Sequence, residues 1–269
     1  MQIMDRLGDL RRPCAFVPTM GALHAGHQSL ITLARQYCDD VVVSVFINPL
    51  QFEKSEDLDK YPKTPELDAR CASEAGATIL WRPSYDEIYP GELQKISAGE
   101  CGNLFEGVSR PGHFDGVLTV VHRLFELVQP KYAIFGEKDF QQLFLIKAMS
   151  SQLHPEIEII SAPTVREESG LAMSSRNIRL SENGKKVATA LSRVLSSAAD
   201  TEDLVRMKSE LSLLARIDGF TLDYAEIIDE ETFQIANEET SRKRAIVAGW
   251  VDGVRLIDNM AMKPALVRL

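Results

Sequence analysis

Over the first 160 residues, short and almost wholly apolar runs alternate with segments whose apolar residues recur every three or four positions. Ala15 to Val17 is one such run, closed by Pro18, and Val41 to Ile47 (VVVSVFI) is another. Runs of this kind read as strands buried on both faces, as in a parallel sheet. Between them Leu30, Leu33, Ala34, Tyr37 and Cys38 fall on one face of a helix that should start near His27. The alternation continues with a helix from Leu67 to Ala75, a strand from Thr78 to Trp81 and a helix from Val117 to Val128. A strand from Tyr132 to Phe135, a helix from Phe140 to Met149 and a strand from Glu156 to Ile160 complete the series. Strand, helix and strand in repeated order predict an α/β fold with a Rossmann-like, doubly wound parallel sheet.

The last third is patterned differently. Residues Ser181 to Ile217 carry Ala, Leu, Ser, Lys and Glu at helical spacing. Three strand-like runs follow, Leu222 to Ile228, Arg244 to Trp250 and Val254 to Asp258. Such neighbouring runs pair antiparallel, which predicts a smaller α+β domain acting as a lid. The expected division is 1–165 and 166–269, at the polar stretch Arg166 to Gly170.

Charge narrows the partners. With 39 acidic and 30 basic residues the chain carries a formal −9. Binding to a polyanion draws on neutralised phosphates and so on a basic face, which argues against nucleic acid as a general partner. Cys14, Cys38, Cys71 and Cys101 form no C-x-x-C pair, so neither a disulfide framework nor a zinc knuckle is signalled. The N-terminal MQIMDRLGDLRRP lacks the apolar core of a signal peptide. Apolar runs all fall short of the roughly 18 residues of a membrane helix. A cytoplasmic protein without membrane association is expected.

In an open parallel sheet, ligands bind beyond the carboxyl ends of the strands, and four loops stand out there or at the domain junction. The first reads Pro18-Thr19-Met20-Gly21-Ala22-Leu23-His24-Ala25-Gly26-His27 and enters a helix, whose free N–H groups favour an anion. His24 and His27 can then donate to one phosphate; two surface histidines or a metal pair are the alternatives for the isolated string. The common phosphate loops, G-x-x-x-x-G-K-[ST] and G-x-G-x-x-G after a strand, are missing. Asn48-Pro49-Leu50-Gln51-Phe52 follows the second strand and by itself reads as a turn. Gly136-Glu137-Lys138-Asp139-Phe140-Gln141-Gln142 opens a helix, with a compact charge on Lys138 and Gln142 one turn along the same face. Met173-Ser174-Ser175-Arg176-Asn177 offers two hydroxyls and a guanidinium, a polyphosphate clamp or an ordinary polar loop.

Taken together, P-T-M-G-x-L-H-x-G-H at Pro18 to His27, N-P-x-Q-F at Asn48 to Phe52, Arg110-Pro111-Gly112-His113-Phe114, FGEKDFQQL from Phe135 to Leu143 and LAMSSRN from Leu171 to Asn177 resemble the pantothenate synthetase (pantoate–β-alanine ligase) family. Leu256 to Asn259 (LIDN) extends the likeness towards the C-terminus. The resemblance implies an ATP-dependent condensation of (R)-pantoate with β-alanine through an enzyme-bound pantoyl adenylate. It implies ATP contacts from Met20, Gly21, Ala22, Leu23, His24, Ala25, Gly26 and His27, from Gly136, Glu137, Lys138 and Asp139, and from Val165, Met173, Ser174, Ser175 and Arg176. Of these His27, as presumed proton donor, His24, Lys138 and Arg176 would be catalytic. Gln51 and Gln142 would grip pantoate, Gln51 also bordering β-alanine, and Mg²⁺ would accompany ATP without assigned protein ligands. A homodimer is expected. The stretch before Pro18 is shorter than the family's usual one, so the first helix is expected to be truncated. A sister adenylyl- or nucleotidylyltransferase acting on another small acid is the alternative enzyme, and an inactive nucleotide-binding module the alternative of another class. Neutral Gln51 and Gln142 argue against a phosphate-bearing acceptor, which would favour basic residues there.

Overall fold

The computed structural model describes residues 1–52, 58, 59 and 61–263. The chain divides into two compact units, Met1–Pro163 and Thr164–Leu269. In the N-terminal unit six strands, β1 (Gln2–Met4), β2 (Ala15–Thr19), β3 (Val41–Val45), β4 (Ile79–Trp81), β5 (Tyr132–Gly136) and β6 (Glu158–Ala162), form one sheet in the order β1-β4-β3-β2-β5-β6. Every pairing is parallel.

The apolar runs become central strands because both sides of the sheet are covered. Phe16 and Val42 face one apolar cluster with Val121, Leu124 and Phe125, whereas Ala15, Val17, Val41 and Val43 face another with Ile31, Ala34 and Ala72. Alternate residues of one strand thus enter opposite cores, as the two-residue period demands. The helices α1 (Ala25–Ala34) and α2 (Pro65–Glu74) supply one side, and α5 (His113–Val128) lies on the other. Two single-turn helices, α3 (Tyr85–Ile88) and α4 (Glu106–Ser109), precede α5, and α6 (Phe140–Leu153) links β5 to β6.

Differences from the periodicity concern element ends. Helix α1 begins at Ala25, because His24 caps it, and closes at Ala34, which leaves Tyr37 outside the helix and 41% exposed, its ring 5.1 Å from that of Tyr132. Helix α5 starts four residues earlier than its apolar face suggests, after Gly112 at φ +74°. Strand β6 lies two residues further on than expected. Strand β1, with only three residues, is too short to show a period.

In the C-terminal unit, α7 (Glu182–Ala199) and α8 (Leu204–Ser212) pack on an antiparallel sheet of β7 (Thr221–Asp229), β8 (Lys243–Val251) and β9 (Val254–Ala261). Helical spacing runs through 181–217, yet Asp203 interrupts it by accepting the Arg206 N–H at 2.9 Å as the cap of α8. Leu191, Leu195, Met207, Leu211 and Val247 form the core. Asp252 and Gly253, at φ +52° and +72°, make the two-residue turn between β8 and β9, the backbone that Asp-Gly favours.

Candidate active site

Strand β2 lies between β3 and β5, where the chain's progress across the sheet reverses. Loops leaving the carboxyl ends of these three strands therefore gather at the switch point of the sheet. They are the histidine loop, the N-P-L-Q-F loop and the G-E-K-D loop.

After β2 the backbone turns sharply. Gly21 and Ala22 have φ of +84° and +51°, a left-handed pair in which only the glycine is free of strain. Leu23 is buried, and His24 then caps α1 with its own ring: Nδ1 accepts the Gly26 N–H at 3.1 Å. His27 reciprocates, its Nδ1 accepting the His24 N–H at 3.3 Å. Two imidazoles thus play the parts that a hydroxyl and a carboxamide usually share in a capping box. Their ring centroids are 4.2 Å apart.

This cap determines the tautomer. Because both Nδ1 atoms accept, the proton of each neutral ring sits on Nε2, which leaves two N–H donors for a ligand. Burial first, then the charge of Lys138, pushes His24 down to about 4. Burial and the neighbouring His24 push His27 down to about 3. Asp139 opposes both shifts, so Lys138 and Asp139 lie within electrostatic reach of the pair. The Lys138 side chain is 18% exposed, with Nζ 3.9 Å from the Asp139 carboxylate. At neutral pH the pair is a set of uncharged donors beside an ammonium.

The N-P-L-Q-F loop forms a 3-10 turn over Pro49–Gln51, with Asn48 Oδ1 accepting the Leu50 N–H. Asn48 is fully buried and ties the turn to α5, donating from Nδ2 to the Gly116 carbonyl at 3.0 Å; Tyr89 donates to Asn48 Oδ1 at 3.1 Å. A β-carbon on Gly116 would lie 2.1 Å from the Leu50 carbonyl oxygen, so the helix approaches the loop through a residue without a side chain. Gln51 is 8% exposed, and its side-chain amide has no hydrogen-bond partner among the described residues.

Following β5, a 3-10 turn over Glu137–Asp139 leads into α6. Gly136 packs beside Leu30 of α1, which brings this loop to the first. The two adjacent glutamines of α6 separate by role. Gln141 is 6% exposed and donates to the carbonyls of Cys101 and Leu104, both at 2.8 Å, while accepting the Glu106 N–H at 3.2 Å. Gln142 is half-buried and its amide has no such partner.

The C-terminal unit carries the serine-arginine loop. Met173 N–H donates to the Val165 carbonyl at 2.9 Å, and Arg166 and Ala172 form an antiparallel bridge, so Val165 and Met173 end a small hairpin. Val165 lies in the second unit, which begins at Thr164, two residues before the sequence division. Ser174, Ser175 and Arg176 follow, half-buried, with Ser174 Oγ accepting the Arg176 N–H at 3.2 Å. Arg166 grips Asp258 with both nitrogens, at 2.6 and 2.9 Å.

Sequence reasoning missed three groups that shape these loops. Asp68, His113 and Tyr89 contact residues 41 to 62 positions away. Local spacing carries no trace of such pairings, although R-P-G-H-F had marked His113 as part of a motif. Among the described residues no group of three His, Cys, Asp or Glu side chains is arranged to hold a metal.

A family model described as Pantoate-beta-alanine ligase matches residues 2–261. The chain belongs to the pantoate–β-alanine ligase family. Curated members include the pantothenate synthetase of Acidothermus cellulolyticus, 49% identical over 95% of this chain and 88% of that protein. The pantothenate synthetase of Rhizorhabdus wittichii is 42% identical over 98% of this chain and all of its own length. Among solved structures, the family member from Thermus thermophilus superimposes with a TM-score of 0.92 at 41% identity, covering 97% of this chain and 99% of that one. The pantoate-beta-alanine ligase from Francisella tularensis, solved complexed with beta-gamma ATP and beta-alanine, has a TM-score of 0.78 at 35% identity, with 97% of both chains covered. As a pantoate–β-alanine ligase, the chain joins the carboxylate of pantoate to the amine of β-alanine.

Proposed function

We propose that the chain catalyses this ATP-dependent condensation in two half-reactions at the switch point of the sheet. In the first, an oxygen of the pantoate carboxylate attacks the α-phosphorus of ATP, the bond to the β-phosphate breaks, and pyrophosphate leaves. In the second, the β-alanine amine attacks the acyl carbon of pantoyl adenylate; the amide forms, AMP leaves and the nitrogen gives up a proton. The observation that carries this reading is the meeting of two neutral Nε2–H donors and an ammonium at the sheet's switch point, where the same loops carry two glutamines whose amides have no hydrogen-bond partner among the described residues.

Negative charge grows on the phosphate oxygens as the carboxylate attacks, and preorganised donors held from water lower that barrier. His24 and His27 fill this part through Nε2. Because burial holds His27 neutral, it acts as a hydrogen-bond donor and gives up a full proton only if bound phosphate raises its basicity. Lys138, Arg176 and the Ser174 and Ser175 hydroxyls would hold the triphosphate, with Met20, Gly136, Asp139, Val165 and Met173 around the nucleoside. Gln51 and Gln142 can donate and accept at once, so they can orient pantoate without quenching its carboxylate as a lysine would. β-Alanine would enter beside Gln51. Magnesium fits here as part of the MgATP substrate: the exposed Asp139 carboxylate lies beside Lys138, the described residues build no cage, and Mg²⁺ keeps phosphate and water ligands by preference. When bound, it would supply positive charge against the departing pyrophosphate.

A homodimer and a cytoplasmic location are further parts of the proposal, drawn from the family resemblance; the four free cysteines agree with a reducing compartment. Acid-dependent release of pyrophosphate from ATP before any amine is added is the decisive assay. Pantoate should support it, and His27→Ala should slow it by tens- to a thousandfold. Pyrophosphate release that requires β-alanine would replace the adenylate with a different order of steps.

A further inference from the structure

The turn that delivers His24 is held from outside the loop. Its two left-handed residues include Ala22, whose side chain makes φ +51° unfavourable, so a partner must stabilise the conformation. That partner is Asp68, in the first turns of α2. Its Oδ2 accepts the Ala22 N–H at 3.2 Å and its Oδ1 accepts the Leu23 N–H at 2.8 Å. Thr64, preceding the helix, donates its hydroxyl to Oδ1 at 3.0 Å. Asp68 is 2% exposed, so three directed donors replace the water that a buried carboxylate would otherwise need. The fit is close: a β-carbon on Gly21 would stand 3.0 Å from Asp68 Oδ2 and 3.0 Å from Val45 Cγ1. The residue after this clamp is His24, whose N–H and Nδ1 build the cap that orients both imidazoles.

We propose that Asp68 is a positioning residue for adenylate formation: its carboxylate locks the Gly21–Ala22 turn and so sets where the Nε2–H groups of His24 and His27 point. The inference rests on the assignment of those histidines to the phosphates. Asparagine is nearly isosteric with aspartate but has one accepting oxygen, and its amide would meet one of the loop N–H groups donor to donor. Asp68→Asn should therefore loosen the loop while the surrounding core keeps its volume.

The test compares the parent enzyme, Asp68→Asn, His27→Ala and Ala72→Gly in the pantoate-dependent release of pyrophosphate. Ala72 is buried one turn beyond Asp68 on the same helix, and its methyl side chain makes no hydrogen bond to the loop, so Ala72→Gly reports on a weakened α2. The expected result is a kcat lowered about ten- to a hundredfold in Asp68→Asn, the scale of a small misplacement of reacting groups. KM for pantoate should change less than threefold, the His24 and His27 ring resonances should move, and Ala72→Gly should keep kcat while losing thermal stability. A folded Asp68→Asn enzyme with kcat within twofold of the parent, beside a crippled His27→Ala, overturns the role of Asp68 and leaves the histidine assignment standing. If His27→Ala is fully active, it is the histidine assignment that fails. Should Asp68→Asn not fold, Thr64→Ala decides: a kcat lowered at least twofold at constant KM supports the proposal, and an unchanged kcat ends it.

Discussion

His113 Nδ1 stands 2.9 Å from the backbone carbonyl oxygen of Gln51. A carbonyl can only accept, so the imidazole donates from Nδ1, the nitrogen through which His24 and His27 accept. His113 is 8% exposed, and the bond crosses from the first turn of α5 to the turn that presents the Gln51 amide. With Asn48 and Gly116 it fixes the turn under the glutamine proposed to grip pantoate.

Replacing His113 by alanine should raise KM for pantoate several-fold and lower stability by about 1–3 kcal/mol, the cost of leaving a buried acceptor unpaired. Steady-state kinetics with pantoate varied, together with urea unfolding, checks both. An unchanged KM in a destabilised enzyme would reduce His113 to a core residue.

The two glutamines of α6 make a sharper contrast. Gln141 holds the 101–106 segment through three hydrogen bonds, whereas Gln142 makes none among the described residues. Gln141→Ala should therefore lower the melting temperature clearly, because it strands one N–H and two carbonyls. Gln142→Ala should leave melting nearly unchanged and raise KM for pantoate far more than KM for ATP. Parallel thermal melts and two-substrate kinetics separate these outcomes, and equal effects on both KM values would remove Gln142 from the acid pocket.

Much of the sheet was legible because burial on both faces demands continuous apolar runs, as in Val41 to Ile47, and because its loops carry unusual residue types. What escaped was long-range or atypical. Asp68 follows Thr64 and Pro65, where an acidic residue looks like ordinary compensation of a helix dipole. Its partners are Ala22 and Leu23, and no local pattern announces a bond across 45 positions. His24 hides the start of α1 because histidine is not among the usual capping residues, Ser, Thr, Asp and Asn. The break between α7 and α8 also escaped, although its signal is local: T-E-D before an apolar position marks a helix start, and Asp203 acts as that cap.

Acid should expose the neutral state of the histidine pair. His24 and His27 are pushed down to about 4 and about 3 in the folded chain, against an ordinary value near 6.5. Below that ordinary value the unfolded chain takes up protons that the folded chain refuses. Stability therefore falls as pH drops from about 6.5 towards 4 and is independent of this pair above about 7. Substituting His27→Gln should flatten the slope across that window by up to about 1.4 kcal/mol per pH unit, the value for one proton. Denaturant unfolding at a series of pH values measures it; parallel curves for parent and variant throughout would mean that His27 titrates normally.

Arg166 and Asp258 offer the last test, because they tie the base of the Val165–Met173 hairpin to β9. Asp258 is nearly buried, and Arg166 meets it with two hydrogen bonds while also donating to the carbonyls of Gly170 and Asn259. Removing one partner leaves a charge without its counter-ion, which typically costs about 3–5 kcal/mol, while removing both in favour of apolar residues costs much less. Asp258→Leu alone should thus destabilise the C-terminal unit strongly, and Arg166→Met/Asp258→Leu should recover most of that loss. The amides of Met173 and Glu167, bonded to Val165 and Leu171, provide the local readout by hydrogen exchange. They should lose protection in the single variant and remain faster than in the parent in the double variant, since the apolar pair restores packing but not the two-pronged grip. Restored exchange rates would show that packing alone shapes the hairpin, and with it the approach to Ser174 and Arg176.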